Sequence, residues 1–283
     1  MENRHAEWRI NFAHRLAERI RTFQGIQAII IAGSVARGYA DQYSDIEIPI
    51  FWDSFPDDER RQAIFNNLNA SFLVPYDGPS AEDQLLINDV QVDLWHISIA
   101  RQESVIQAVL EHFDTEEGSL NALDTLRSCI PLYGHEIIAR WKEQAQAFPE
   151  GLQKKLIETH INAFRIAGLF LSSMRNNPTA FYGQMNYLHQ SVFMVLLALN
   201  QSYFPTYKWL YRRLGEMTIK PVKVEERMMQ VFGLQYSQAI DETKKLLDET
   251  LGLVESHIPS IDTTQVRQQL GYIRMAHSRS VRF

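Results

Sequence analysis

Apolar side chains recur along this chain with two different spacings, and the spacing changes once. Residues 5–24 carry large apolar side chains three or four positions apart and end at a glycine, which is typical of an amphipathic helix. Strand-like runs follow at 26–32, 46–52 and 87–100, the first rich in isoleucine and the second strictly alternating. Pro49 favours an edge position or a bulge for the second run, because proline donates no hydrogen bond to a neighbouring strand.

The second spacing is helical and begins at about residue 101. It predicts helices over 101–113, 119–129, 152–174, 184–200, 206–215, 224–232, 235–257 and 263–277. One earlier helix, 59–69, is predicted between the strands, with Asp57 and Asp58 as its capping residues. A loop rich in Pro, Asp and Gly at 75–83 separates this helix from the third strand.

A break in the helical pattern divides the chain into two predicted domains. The break lies at residues 148–151, which read Phe-Pro-Glu-Gly, and a length of 283 residues is enough for two cores. All the predicted strands precede this break. We therefore predict an α+β fold, with a small mixed-sheet domain at 1–147 followed by an all-α helical bundle at 148–283.

The composition argues against several classes of function. The chain is 45% hydrophobic and 22% charged, with a formal net charge of −6. Proteins that bind nucleic acid without sequence preference carry a basic surplus, so this charge argues against a long nucleic-acid substrate. The single cysteine, Cys129, allows no intrachain disulfide. The longest strongly apolar run, 192–199, is too short to span a membrane, and the charged first residues do not resemble a signal peptide, so we expect a cytoplasmic protein.

Three carboxylates interrupt the apolar strand patterns. Asp45 and Glu47 stand two positions apart at the start of the second run, and Asp93 lies in the middle of the third. Residues two apart in a strand point to the same face, so Asp45 and Glu47 are expected to project together. Neighbouring carboxylates repel each other unless a cation lies between them. If the two strands pair, all three acids can converge on Mg²⁺, which prefers carboxylate and water ligands and commonly bridges them to substrate phosphates.

A glycine–serine turn precedes these acids. Gly33 and Ser34 end the first strand and open a short helical turn. Glycine lets the backbone approach a phosphate closely, while backbone amides and the serine hydroxyl donate hydrogen bonds to it. Arg37 follows in the same turn and can add positive charge.

Taken in order, these residues form one pattern: Gly33-Ser34, Gly38, Ser44-Asp45-Ile46-Glu47 and Asp93. The pattern resembles the nucleotidyltransferase superfamily of the DNA polymerase β type, and the match covers about 60 residues. The Asp-x-Glu form is similar to that of the antibiotic nucleotidyltransferases that adenylylate aminoglycosides, which also carry a helical second domain. Residues 186–214 resemble helical domains fused to such catalytic domains in bacterial proteins.

The resemblance implies a reaction and residue roles. The reaction is Mg²⁺-dependent transfer of a nucleoside monophosphate, with ATP as the expected donor of AMP, to a hydroxyl group of a small molecule such as an antibiotic, and pyrophosphate leaves. Asp45 and Glu47 would hold two Mg²⁺ ions, and Asp93 would hold the ion that activates the acceptor or act as the base itself. The residues expected to contact the nucleotide are Gly33, Ser34, Arg37, Ser44 and, from the helical domain, Lys208.

Each feature also has a structural interpretation. Gly33-Ser34 is a common turn, Asp45 and Glu47 can decorate an exposed strand, and Asp93 can form a buried ion pair with an arginine. The segment 203–214, which contains Lys208, fits an amphipathic helix with a solvated basic face. Two functional alternatives stay open: an adenylyltransferase that modifies a protein or tRNA, as in toxin–antitoxin systems, and a nucleotide-sensing module without catalytic activity.

Overall fold

The structure, a computed structural model, describes residues 4–73 and 82–273. These residues form two compact units that divide between Ala147 and Phe148. In the described residues the first unit contains a six-stranded mixed sheet with helices and the second is helical, so the predicted α+β class is confirmed. The same residues contain no helix that is long and apolar enough to cross a membrane. Most of the loop predicted at 75–83 lies outside the described residues. The helix predicted at 263–277 ends at Leu270, and residues 274–277 lie outside the described residues.

The described part of the first unit contains six strands and six helices. Its strands are β1 (Ile26–Ile31), β2 (Ile46–Trp52), β3 (Ser71–Phe72), β4 (Glu82–Ile87), β5 (Val90–Ser98) and β6 (Ile130–Tyr133). Its helices are α1 (Arg4–Ile20), α2 (Gly33–Ala36), α3 (Asp58–Leu68), α4 (Ile99–His112), α5 (Glu117–Ser128) and α6 (His135–Gln144). The strands lie in the order β3-β4-β5-β2-β1-β6, and β2 and β5 run parallel while the other neighbours are antiparallel.

The two faces of the sheet have different environments. One face packs on α1 and α3 and buries the alternating isoleucines of β2 completely: Ile46, Ile48 and Ile50. Full burial of one such side chain stabilises a fold by about 1.5–3 kcal/mol. Glu47 and Phe51 are one position out of step and therefore point to the opposite face. There the ring of Phe51 meets that of Trp141 from α6, with 4.9 Å between their centres.

Of the edge position and the bulge expected for Pro49, the edge position is wrong, because β2 lies inside the sheet. The pairing of β1 and β2 does have a register shift, but it lies between Ile26 and Ala28, opposite Trp52 and Phe51. The carbonyl of Glu47 accepts a hydrogen bond from the amide of Ala32, on the β1 side, at 2.9 Å. Backbone groups two residues apart in a strand point to the same neighbouring strand. The nitrogen of Pro49 therefore also points toward β1. The register pairs of β1 and β2 run from Trp52 to Ile50 and end before Pro49, so the proline interrupts none of them.

The strand predicted at 87–100 belongs to a hairpin. β4 and β5 are joined by Asn88 and Asp89, whose φ angles of 51° and 62° are those of a two-residue hairpin turn. β4 has no counterpart among the predicted elements, because one of its inward positions is charged. Asp83 alternates with apolar side chains along β4 and is buried like them.

A buried polar cluster accounts for Asp83. Its carboxylate accepts hydrogen bonds from Arg61 Nε of α3 (3.1 Å) and His96 Nε2 of β5 (2.9 Å). Trp52 Nε1 donates to His96 Nδ1 (3.1 Å), which places the ring proton on Nε2. Burial lowers the pKa of His96 and keeps its ring neutral. Burial alone would raise the pKa of Asp83, but the hydrogen bonds from His96 and Arg61 outweigh it and lower that pKa. His96 is therefore a structural residue.

The second unit consists of helices and short turns. Its helices are α7 (Glu150–Ile161), α8 (Ala167–Met174), α9 (Pro178–Leu199), α10 (Leu210–Glu216), α11 (Val224–Gln230), α12 (Tyr236–His257) and α13 (Thr264–Leu270). Short 3-10 turns cover Tyr207–Trp209 and Val231–Gly233. The single helix predicted over 152–174 is two helices. Phe164 and Ile166 are both buried between them, and residues two apart cannot share one face of a helix.

Candidate active site

Two of the three predicted acids lie on neighbouring parallel strands. Glu47 of β2 and Asp93 of β5 are register partners, so their side chains leave the same face of the sheet. Neighbouring strands are about 4.8 Å apart, which brings the two carboxylates close together. Asp93 is 6% exposed, Glu47 is partly buried, and Gln91 Nε2 donates to Asp93 Oδ1 at 3.2 Å. Two carboxylates in this arrangement repel each other, and a cation between them relieves the repulsion. The arrangement therefore favours the binding of a cation.

The Gly33–Ser34 turn packs directly against Glu47. Gly33 has a φ of +62°, and a Cβ built on it would lie 2.6 Å from Glu47 Oε2 and closer still to the carboxyl carbon. Glycine is thus required both for the backbone conformation and for the approach to the carboxylate. The Ser34 hydroxyl is buried and has no hydrogen-bond partner among the described residues. A buried group of this kind costs about 1–3 kcal/mol when left unsatisfied, which suits it to a ligand oxygen.

Asp45 and Ser44 lie immediately before β2. The Ser44 hydroxyl donates to Asp41 Oδ1 (3.1 Å) and accepts from the Asp41 amide (3.0 Å), which closes a tight turn. Arg9 of α1, 4% exposed, donates through Nε to the carbonyl of Ser44 at 2.9 Å. Burial lowers the pKa of Arg9, while the charges of Asp41 and Asp45 act in the opposite direction. Arg9 therefore positions the residue before Asp45, and nothing in the sequence singles it out among the polar residues of α1.

Arg37 is bound to α5. Its Nε donates to Asp124 Oδ2 at 2.7 Å, and its Nη2 lies 3.4 Å from Thr125 Oγ1. The two side chains of this ion pair are 5% and 6% exposed. Arg37 thus ties the Gly33–Ser34 turn to α5, and its predicted contact with a nucleotide stays a prediction. Asp124 is a lone acid in a helical pattern, so the sequence carries no signal for this partner.

The oxygen atoms near Glu47 can be compared with the ligands that a divalent cation prefers. Glu47 and Asp93 offer carboxylate oxygens on one face, the turn at Gly33 lies against one of them, and Asp45 is two residues from Glu47. These are the oxygen ligands that Mg²⁺ prefers. Within residues 4–73 and 82–273, however, no group of three or more His, Cys, Asp or Glu side chains is assembled to hold a metal ion. The structure brings two of the acids together, and the convergence of all three stays a prediction.

Lys208 belongs to the second unit. It lies in the 3-10 turn Tyr207–Trp209, with its Nζ 5.4 Å from the centre of the Trp209 ring. The helix predicted at 206–215 therefore begins as this turn and continues as α10. The expected contact of Lys208 with a triphosphate stays a prediction.

Comparisons with known proteins give a family match and a likeness to a solved structure. A family model described as a domain of unknown function (DUF4037) matches residues 129–210, which is less than a third of the chain. No curated protein matches the chain significantly. The chain is similar to the crystal structure of a nucleotidyltransferase-like protein from Exiguobacterium sibiricum 255-15, with 12% sequence identity and a TM-score of 0.41 over 90% of this chain and 88% of that chain. A likeness at this level carries no functional argument, so function has to be inferred from the site itself.

Proposed function

We propose that this protein is a nucleotidyltransferase that moves AMP from ATP to a hydroxyl group of a small molecule and releases pyrophosphate. One observation carries the proposal: Glu47 and Asp93 are register partners on parallel strands, and the Gly33–Ser34 turn lies against Glu47. Nucleotidyl transfer needs both parts, because carboxylates hold Mg²⁺ and a close backbone turn binds the polyphosphate. The pattern of residues, which resembles the DNA polymerase β-type superfamily, supports the same reaction.

The residues have distinct tasks in this reaction. Asp45, Glu47 and Asp93 would hold Mg²⁺, which when bound neutralises phosphate charge and orients the attacking and leaving oxygens. Ser34 donates its buried hydroxyl hydrogen to a phosphate oxygen and so gains the partner it lacks. Asp93 takes the proton of the attacking hydroxyl at its carboxylate. The acceptor oxygen then bonds to the α-phosphorus as the bond from that phosphorus to the pyrophosphate oxygen breaks.

The charge of the chain supports a small acceptor. A net charge of −6 repels the phosphates of tRNA and attracts cationic molecules. Aminoglycosides, the acceptors of the enzymes that this pattern resembles, are polycations with many hydroxyl groups. We therefore propose a cationic, hydroxyl-bearing small molecule of this kind as the acceptor.

The test measures Mg²⁺-dependent ATP binding by calorimetry, and pyrophosphate release with a panel of hydroxyl-bearing small molecules that includes aminoglycosides. Glu47→Gln and Asp93→Asn remove a charge at almost constant shape, and each is expected to abolish Mg²⁺-dependent binding without lowering the free energy of unfolding. Asp89→Asn is the matched control, because it makes the same change in the exposed turn of the β4–β5 hairpin, where asparagine tolerates a positive φ. Unchanged Mg²⁺-dependent ATP binding in both site variants would refute the proposal.

A further inference from the structure

A small cavity lies beside Glu47 inside the first unit. Its volume is about 160 Å³, and its wall runs from Glu47 along Phe51 of β2 to Trp95 and Ile97 of β5, with residues of α4 and α5 opposite. Most of this wall is apolar. An engineered apolar cavity of about 150 Å³ in another protein takes up benzene, so the cavity beside Glu47 has the size of one flat ring.

One buried polar group in the wall lacks a partner. Gln102 of α4 lines the cavity and is only 4% exposed. Its Nε2 has no hydrogen-bond partner among residues 4–73 and 82–273. Because an unsatisfied buried donor is costly, this amide favours a ligand that brings a hydrogen-bond acceptor to it.

A larger cavity of about 670 Å³ adjoins the small one. The two share five lining residues: Trp95, Ile97, Gln102, Gly118 and Ala122. The larger cavity also carries charged side chains, Arg101 and Glu116 among them. Sites for small molecules typically have this construction, a mostly apolar recess of several hundred Å³ with a few polar groups that fix orientation.

We infer that this recess binds a flat, uncharged ring that carries a hydrogen-bond acceptor. The ring occupies the small cavity, and its acceptor atom receives the hydrogen of Gln102 Nε2. In the proposed reaction, on which the identity of the ligand rests, the ring is the base of the donor nucleotide. Its place in the small cavity would bring the nucleotide next to Glu47.

Two probes isolate the role of Gln102. Benzamide and toluene have the same ring, but only benzamide carries a strong acceptor. Both are expected to bind the full wild-type chain without Mg²⁺ or nucleotide, as measured by ligand-observed NMR titration. Gln102→Met keeps the length of the side chain and removes the donor, so it should weaken benzamide about tenfold and leave toluene at least as tightly bound. Gln102→Leu serves as a second variant with the same expectation.

The outcomes separate this inference from the proposed function. Failure of benzamide to bind the wild-type chain, or equal effects of the Gln102 variants on both probes, would overturn the inference. Displacement of benzamide by adenosine identifies the ring as the base of the nucleotide. Displacement by none of adenosine, guanosine, cytidine and uridine would refute the assignment of the ring to the base of the nucleotide. If the probes behave as expected while Glu47→Gln and Asp93→Asn both leave Mg²⁺-dependent ATP binding intact, the inference about the recess holds and the nucleotidyltransferase proposal fails.

Discussion

The contact between Gly33 and Glu47 yields the sharpest prediction for this site. Gly33→Ala adds one methyl group at a position where the backbone φ is +62°. The new Cβ would meet the Glu47 carboxylate, with 2.6 Å to Oε2. Carbon and oxygen atoms normally stay about 3.4 Å or more apart, so the carboxylate has to move by about 1 Å. A displacement of this size at a ligand-binding group is enough to impair function severely.

A second glycine in the same turn separates this effect from backbone strain. Gly38 has a φ of +72°, and a Cβ built on it meets nothing within 4 Å. Alanine in the left-handed conformation costs about 1–2 kcal/mol, so Gly33→Ala and Gly38→Ala should both lower the free energy of unfolding by about this amount. Only Gly33→Ala displaces Glu47. It should therefore also weaken Mg²⁺-dependent ATP binding by about 10- to 100-fold, the range found when the support of a metal ligand is removed.

The assay combines urea unfolding with calorimetric titration of ATP in the presence and absence of Mg²⁺. The expected result is a similar loss of stability in both variants and a loss of Mg²⁺-dependent binding in Gly33→Ala alone. Unchanged Mg²⁺-dependent ATP binding in Gly33→Ala would refute the reasoning, because it would show that the position of the Glu47 carboxylate does not matter. An equal loss of binding in both variants would also refute it, because it would assign the effect to the backbone of the turn and not to the contact with Glu47.

Two further predictions concern the buried titratable residues His189 and Arg37. His189 of α9 is buried, neither ring nitrogen has a hydrogen-bond partner among the described residues, and burial lowers its pKa from 6.5 to about 4. Because the pKa of His189 is lower in the folded protein, its contribution to stability is complete above pH 6.5. The free energy of unfolding should fall by about 3 kcal/mol as the pH drops to about 4. Urea unfolding of His189→Phe should not show this loss. Arg37→Ala removes the buried ion partner of Asp124 and should lower the free energy of unfolding by about 3–5 kcal/mol in the same assay. The double change Arg37→Met with Asp124→Leu should recover most of that loss. Equal costs for the single and double variants would contradict a coupled pair.

The strands β1, β2 and β5 and most of the helices could be predicted from the sequence, whereas β4, β6 and α6 have no counterpart among the predicted elements. The helix α3 begins where its capping residue predicts, since Asp57 Oδ1 accepts a hydrogen bond from the amide of Arg60 at 2.9 Å. β4 escapes prediction because Asp83 occupies an inward position, and only its partners Arg61 and His96 make that burial possible. Such partners are far apart in sequence and come together only on folding.

The residues of the candidate site also fall into two groups, those that the sequence indicates and those that it does not. Glu47, Asp93, Gly33 and Ser34 could be selected from the sequence because each breaks a local pattern. Arg9, Asp124 and Gln102 could not, because a lone polar residue on a helix is ordinary until its partner, or the lack of one, is known. Arg9 acts through the carbonyl of Ser44, 35 residues away, and Gln102 is significant only because its buried amide lines a cavity. These residues support or shape the site through contacts that local sequence patterns do not encode.

The apolar core determines which acids can meet. In the register of β2 and β5, Ile46 pairs with Val92 and Ile48 with Leu94, and all four side chains are buried on the face that packs against α1 and α3. Glu47 and Asp93 lie between these pairs and so face each other on the opposite side. A slip of one residue would turn Asp93 into the apolar core, at a cost of several kcal/mol for an unpaired carboxylate. The alternation of isoleucine, valine and leucine therefore sets the alignment of the two acids, and substitutions that loosen this core should disturb the site before they unfold the sheet.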